Sequence, residues 1–488
     1  MDRQHRPRPD DTSAADGSGS RSESWTRVRA GRFVRGAVVA AVALLTLAAA
    51  SGLALAHGGA VRGAARGSIA VPTWLFLLTG GGVVGASFLL ASFVTDRAFV
   101  AAVHAWHRVL AAPSSLLRRL GQAVGVVALT AVVAVGFAGP DTPTRNLSIL
   151  VVWVGWWGGY VASTYLVGNT WPAVDPFRTL ASFVPSLDRP YPERLGAWPS
   201  VAGLLLLVWL EITSPLAEDP QLLAAVVVGY TVVTVAGTVV FGSDRWFATV
   251  DPIARALRYY GRVAPIERTD SGLRFRLPGA GLSETRLVTG RDEVAFVVAI
   301  LFVTTYDGAI ATGPWADVAR AVVGAGVPPL VVYLGAYLGG FALFYAAYRA
   351  ATAAARRTGD TYLSSGELAR RFAPSLLAIA AGYHLAHNLG TMLTLAPTFL
   401  TVLAAPLSPP ANPPVLVVPG WFGGVDLAFV LVGHLVAVWV AHATAYDLFP
   451  SRLQAVRSQY GVTAVMIAYT MVSLWVVSEP FVTPPYLS

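Results

Sequence analysis

Uninterrupted apolar runs of about twenty residues recur along this chain, each long enough to cross a hydrocarbon core about 30 Å thick as a helix. They predict spans over 34–56, 71–94, 121–138, 147–168, 199–217, 220–242, 293–312, 327–348, 372–396, 425–446 and 461–479. The expected architecture is all-α: a polytopic transmembrane helix bundle of about eleven spans, with short amphipathic helices at the interface. Between the sixth and seventh spans lies a sizeable polar stretch, 243–292. There Thr269-Asp270-Ser271-Gly272 precedes the alternating Leu273-Arg274-Phe275-Arg276-Leu277, which predicts a small hairpin.

Arginine placement orients the spans. Thirty-one of the 35 basic residues fall on one side of this span map and four (Arg62, Arg66, Arg145 and Arg320) on the other. The positive-inside rule therefore puts the N-terminus in the cytoplasm and the C-terminus outside. The formal charge of +8 becomes a signature of the inner face of a cell membrane with an anionic leaflet. Nucleic-acid binding is not expected.

Residues 1–33, rich in Asp, Ser, Gly, Arg and Pro, read as a disordered cytoplasmic tail. The run 34–56 ends in Ala54-Leu55-Ala56 and is either a retained first span or a signal peptide; cleavage after Ala56 would make His57 an N-terminal copper-chelating residue. The remainder divides into the spans within 71–242, the basic loop 243–292, the spans within 293–479 and an outer tail, 480–488. Two inner loops look alike: Trp171-Pro-Ala-Val-Asp175-Pro176-Phe177-Arg178 and Trp246-Phe-Ala-Thr-Val-Asp251-Pro252-Ile253-Ala-Arg255. Each follows a pair of spans, so a duplicated two-helix unit is expected, one residue out of register. In each, Asp caps a helix that Pro begins. That helix is expected to lie on the interface, Trp and Phe toward lipid and Arg toward phosphates. His104 and His107 are expected on another such interfacial helix. The loop 405–424, with its prolines from Pro406 to Pro419, reads as a stiff outer lid or a plain connection.

Composition narrows the chemistry. Hydrophobic residues make up 55% of the chain and charged ones 13%, about half the share of a soluble protein. There is no cysteine, which excludes disulfides, thiolate metal sites and cysteine nucleophiles. There is no lysine, which excludes Schiff-base chemistry and a Walker-type lysine.

What remains are the ionisable residues inside the spans, which are costly in lipid and so mark function. They are Glu211, Asp307, His384, His387, His434 and His442. His384 and His387, three apart, share one helix face and can serve one metal. Counted at 1.5 Å per residue, Asp307 lies about 21 Å, and His384 and His387 about 18 and 22 Å, from the inner ends of their spans. His434 falls at an overlapping depth. One site built from His384, His387, His434 and Asp307 is thus possible, suited to zinc, copper or iron. Separate hydrogen-bonded residues, a proton relay or a bis-histidine haem are the alternatives.

The series Ala56-His57-Gly58, Val174-Asp175-Pro176-Phe177-Arg178, Trp209-Leu210-Glu211, Thr305-Tyr306-Asp307-Gly308, Gly382-Tyr383-His384-Leu385-Ala386-His387, Gly433-His434, Ala441-His442 and Ser458-Gln459-Tyr460 resembles a prokaryotic multipass membrane family often labelled fenitrothion hydrolase. The resemblance covers most of the chain from about residue 50 onward. It implies organophosphate triester hydrolysis. The chain departs from the family at Ala443, where an aspartate after His442 is expected. Three functions follow. In a metal-dependent hydrolase, His384, His387 and His434 would be ligands, Asp307 a fourth ligand or general base, and Glu211 a reserve base. In a transporter or metal/proton carrier the same groups would form a mid-membrane site. In a haem redox protein two helices would each supply an axial histidine.

Overall fold

A computed structural model of the chain describes residues 73–110, 115–269, 272–284, 286–419, 421–480 and 482–487. The predicted span 34–56, the N-terminal tail and His57 lie outside the described residues.

Helices lie over each of the other ten predicted spans. In chain order these are α1 (Thr73–Ser92), α2 (Arg97–Ala105), α3 (Ser115–Ala138), α4 (Leu147–Leu166), α5 (Trp171–Val174), α6 (Pro176–Ala181), α7 (Trp198–Thr213), α8 (Pro220–Phe241) and α9 (Pro252–Tyr260). They continue with α10 (Arg291–Ile310), α11 (Gly313–Gly324), α12 (Pro329–Thr358), α13 (Ser365–Ala404), α14 (Phe422–Leu448), α15 (Arg452–Ser458) and α16 (Tyr460–Ser478). Among the described residues seven helical stretches are long and apolar enough to cross a membrane, or eight if α1 and α2, bent by 114°, count as one. The 16-residue α7 is short of that length. The 40-residue α13 falls outside the set for a different reason: His384, His387 and Asn388 in its middle dilute its apolarity.

That dilution matches its place. α13 packs against α14, α10, α12 and α4, so its polar groups face protein. Beside it α10 is the most enclosed of the described apolar helices, 78% of its apolar stretch being buried against 11% for α12. The bundle is therefore built around α10 and α13, with α3, α8 and α12 presenting apolar flanks outward. α13 and α14 cross at Gly382 and Gly433. A Cβ on Gly382 would stand 2.5 Å from the Phe429 carbonyl oxygen, and one on Gly433 2.6 Å from that of Ala378. Only glycine permits this approach.

At about 60 Å, α13 is twice as long as a hydrocarbon core is thick. The proline-rich loop after it runs back along its last turns: Leu416 N–H donates to the Thr394 carbonyl (2.9 Å), and the Thr398 hydroxyl to that of Pro414 (2.6 Å). At the arginine-rich end the expected hairpin forms from β2 (Ile266–Thr269) and β3 (Gly272–Arg276). A third strand, β1 (His107–Leu110), pairs antiparallel with the other edge of β3. This corrects the expected helix carrying His104 and His107. His104 lies in the last turn of α2, stacked on Trp439, while the backbone turns extended at Trp106 and His107 enters the strand.

The two Asp-Pro loops are built alike. Asp175 caps α6 and Asp251 caps α9, each with a proline in the first turn. Asp175 N–H bonds to the Trp171 carbonyl four residues back, whereas Asp251 N–H reaches five residues back to Trp246, inside the π-helical turn Trp246–Val250. The extra residue of the second loop is absorbed as a widened turn, so both aspartates keep the same capping role. The expected lipid-facing orientation is corrected. Trp171, Phe177 and Phe247 are buried in protein, as is Arg255, whose guanidinium reaches Glu293 (2.9 Å) and the carbonyls of Ala248 and Thr249. Arg178 lies over the Phe247 ring rather than toward lipid phosphates.

Candidate functional site

α10 carries Asp307 one turn beyond Thr304, and α13 carries His387 opposite it. His387 Nε2 stands 3.5 Å from Asp307 Oδ2. The Tyr383 ring stacks beside His387, and its hydroxyl lies against Gly308. The carboxylate keeps 37% of its exposure and the imidazole 18%, so the pair is partly enclosed. Of the groups expected to meet, this is the pairing that forms.

His384 turns elsewhere. Its Nδ1 is 2.9 Å from the Tyr165 hydroxyl on α4, and its ring meets the edge of Trp157 at 4.8 Å. His384 is buried, and its Nε2 has no hydrogen-bond partner among the described residues. Thus the two imidazoles share a face of α13 but serve different neighbours, His387 on α10 and His384 on α4.

His434, on α14, places Nδ1 2.8 Å from the carbonyl of Val430. A carbonyl only accepts, so Nδ1 carries the proton and Nε2 is the bare nitrogen, buried and without a hydrogen-bond partner among the described residues. His442 is satisfied on both sides. Its Nε2–H donates to the Val94 carbonyl (2.9 Å), and its Nδ1 accepts from the Gln459 amide (3.4 Å). His442 thus has a partner in Gln459 although Ala443 departs from the family pattern.

Among the described residues no three His, Asp or Glu side chains come together as a group able to hold a metal ion. The metal site expected from His384, His387, His434 and Asp307 is therefore not assembled. The physical reason is the aim of the side chains: His387 meets Asp307 on α10, while His384 turns to Tyr165 and Trp157 on α4. Glu211, the expected reserve base, lies on α7 in the wall of a separate cavity of about 820 Å³.

Sequence reasoning missed Tyr165, Trp157 and Asp426. Tyr165 and Trp157 read as ordinary aromatic residues of an apolar span, with nothing local to link them to a histidine more than 200 positions away. Asp426 sat at the predicted edge of its span; it is buried, near the start of α14.

Near the arginine-rich end, Asp175 and Asp251 are also buried. Burial pushes the Asp175 carboxyl up to about 7, with the neighbouring Asp251 adding to the rise and the N–H groups of Arg178 and Phe177 opposing it. Asp251 is raised by burial as well, opposed by the Ala254 N–H and by the hydroxyl of Tyr230, which donates to it at 2.6 Å.

Comparison with family models, curated proteins and solved structures finds no match.

Proposed function

We propose that this chain is a membrane carrier that takes up and releases a proton at the His387–Asp307 pair. In this reading it has eleven spans, counting 34–56, with the N-terminus cytoplasmic, and the pair falls in the outer half of a cell-membrane bundle. The 3.5 Å approach of His387 Nε2 to Asp307 Oδ2 carries the proposal. An imidazole facing a carboxylate can hold one proton between them, and partial exposure gives that proton a route in and out. Placement between α10 and α13 ties its charge state to the packing of the two helices at the centre of the bundle.

The test is proton flux into liposomes holding the purified protein under an imposed pH gradient, read with a trapped pH dye. Wild type should dissipate the gradient when solute is present, and Asp307→Asn and His387→Ala should not. Equal flux in all three would overturn the reading. The hydrolase reading makes a different forecast: release of the aryl alcohol from a phosphotriester by protein with stoichiometric metal, both lost in His387→Ala.

A further inference from the structure

The cavity that holds Glu211 has walls of unusual chemistry. It is lined by residues of α3 to α10 and of the last turns of α13, and its volume of about 820 Å³ suits a drug-sized molecule. Its lining is apolar, and among the described residues Glu211 is the only charged side chain on it. Among the described residues no arginine or histidine lines it, so an anion would find no donor of positive charge there. Much of the rest is aromatic. The Trp156 ring lies 6.0 Å from those of Trp157 and Trp171, and Tyr160 lies 5.6 Å from Trp171, at tilted angles. The π face of an aromatic ring carries a negative quadrupole, which attracts a cation that has shed its water.

Access is lateral. Leu120, Val124 and Val127 of α3 line the cavity and are also exposed on the flank of the bundle. A ligand dissolved in the bilayer would enter there without crossing a polar barrier. A strongly hydrated ion would not, since nothing on the wall replaces its hydration shell.

We infer that this cavity binds a lipophilic organic cation: an apolar body of drug-like size bearing one alkylated or delocalised positive charge, balanced by Glu211 and faced by Trp156, Trp157, Tyr160 and Trp171. The binding site stands without the carrier reading; only the naming of the cation as the carried solute rests on it. In that case the cavity and the proton pair are coupled through α10, because Ile300, Val303 and Thr304 line the cavity one to two turns before Asp307.

The probe is tetraphenylphosphonium, and the measurement is equilibrium binding to the full chain in lipid nanodiscs, corrected for protein-free discs. One saturable site per chain is expected. Glu211→Gln should weaken binding by roughly tenfold or more while the fold persists by thermal melting. Tetraphenylborate, of the same shape and opposite charge, should not bind saturably. Should Glu211→Gln fail to fold, position 156 carries the test: Trp156→Phe keeps a π face and most of the affinity, whereas Trp156→Leu loses it. Equal affinity for tetraphenylborate or for uncharged triphenylphosphine, an affinity unchanged in Glu211→Gln, or no saturable binding would each overturn the inference. Binding is read without turnover, so a protein that moves no protons could still pass.

Discussion

The Tyr165 hydroxyl and the Nδ1 of His384 lie 2.9 Å apart, joining α4 to the middle of α13 inside the bundle. Both groups are buried, so neither has water as a substitute partner. Tyr165→Phe should therefore cost about 1–3 kcal/mol, the penalty of leaving one side of the imidazole unmet. The measurement is the melting midpoint in detergent. A companion variant, His384→Leu, removes the polar group as well and should recover part of the loss in the Tyr165→Phe background. If the double variant is no more stable than Tyr165→Phe, the bond does not contribute in this way.

The crossing of α13 and α14 makes a steric prediction. Gly382→Ala would press a methyl onto the Phe429 carbonyl oxygen, and backbone cannot swing aside as a side chain can. Loss of about 2 kcal/mol or more is expected, of the size seen for overpacked cores. Gly229 on α8 is the control, since a Cβ there meets nothing within 4 Å. Gly229→Ala should be neutral or stabilising by up to about 1 kcal/mol. Melting the two variants side by side decides it; equal midpoints would mean that the helices separate freely at this crossing.

The helices were legible because apolar runs mark them, although only seven or eight of the described stretches are long and apolar enough to cross a membrane. Ten predicted spans coincide with helices, since a long apolar run has few other ways to satisfy its backbone. The Asp-Pro caps and the hairpin were legible for a similar reason: their signals are local. What could not be read was the direction of side chains. Spacing placed His384 and His387 on one face of α13, but not the fact that α4 and α10 each meet that face. The likeness of the two Asp-Pro loops was readable as a short match with an extra residue, but the π turn at Trp246–Val250 that absorbs it depends on where the chain finds room. β1 was misread because His104-Ala-Trp-His107 has helical spacing, and its pairing partner β3 lies more than 150 residues away.

Asp175 gives a pH prediction. Its folded-state carboxyl is pushed up to about 7 by burial, above the ordinary carboxylate value near 3.8. The folded protein thus holds a proton there over a range in which the unfolded chain has released it. The associated stability is fully present below pH about 4 and is lost as pH rises through about 7. Wild type should therefore melt at lower temperature at pH 8 than at pH 5, with other titrating groups adding their own slopes. Asp175→Asn keeps an oxygen to cap α6 but cannot ionise. Its melting curve should be flatter between pH 5 and 8, and its advantage over wild type should be largest at pH 8. An unchanged slope in the variant would assign the dependence to other groups.

Arg255 shows what the second Asp-Pro loop is for. Its side chain is 2% exposed, and it spans from the carbonyls of Ala248 and Thr249 in the π turn to Glu293 at the start of α10. One guanidinium therefore ties the widened turn, which has spare acceptors, to the central helix. Arg255→Met would leave a partly buried carboxylate and two carbonyls without that donor, at a cost of about 3–5 kcal/mol. Glu293→Gln should cost less, because the backbone carbonyls still hold the arginine. The double variant should then be less destabilised than the sum of the two single variants, since the ion pair is lost once. Melting midpoints or denaturant titrations of all three variants supply the cycle. Strict additivity would mean that Arg255 and Glu293 act independently, leaving the turn held by its backbone bonds alone.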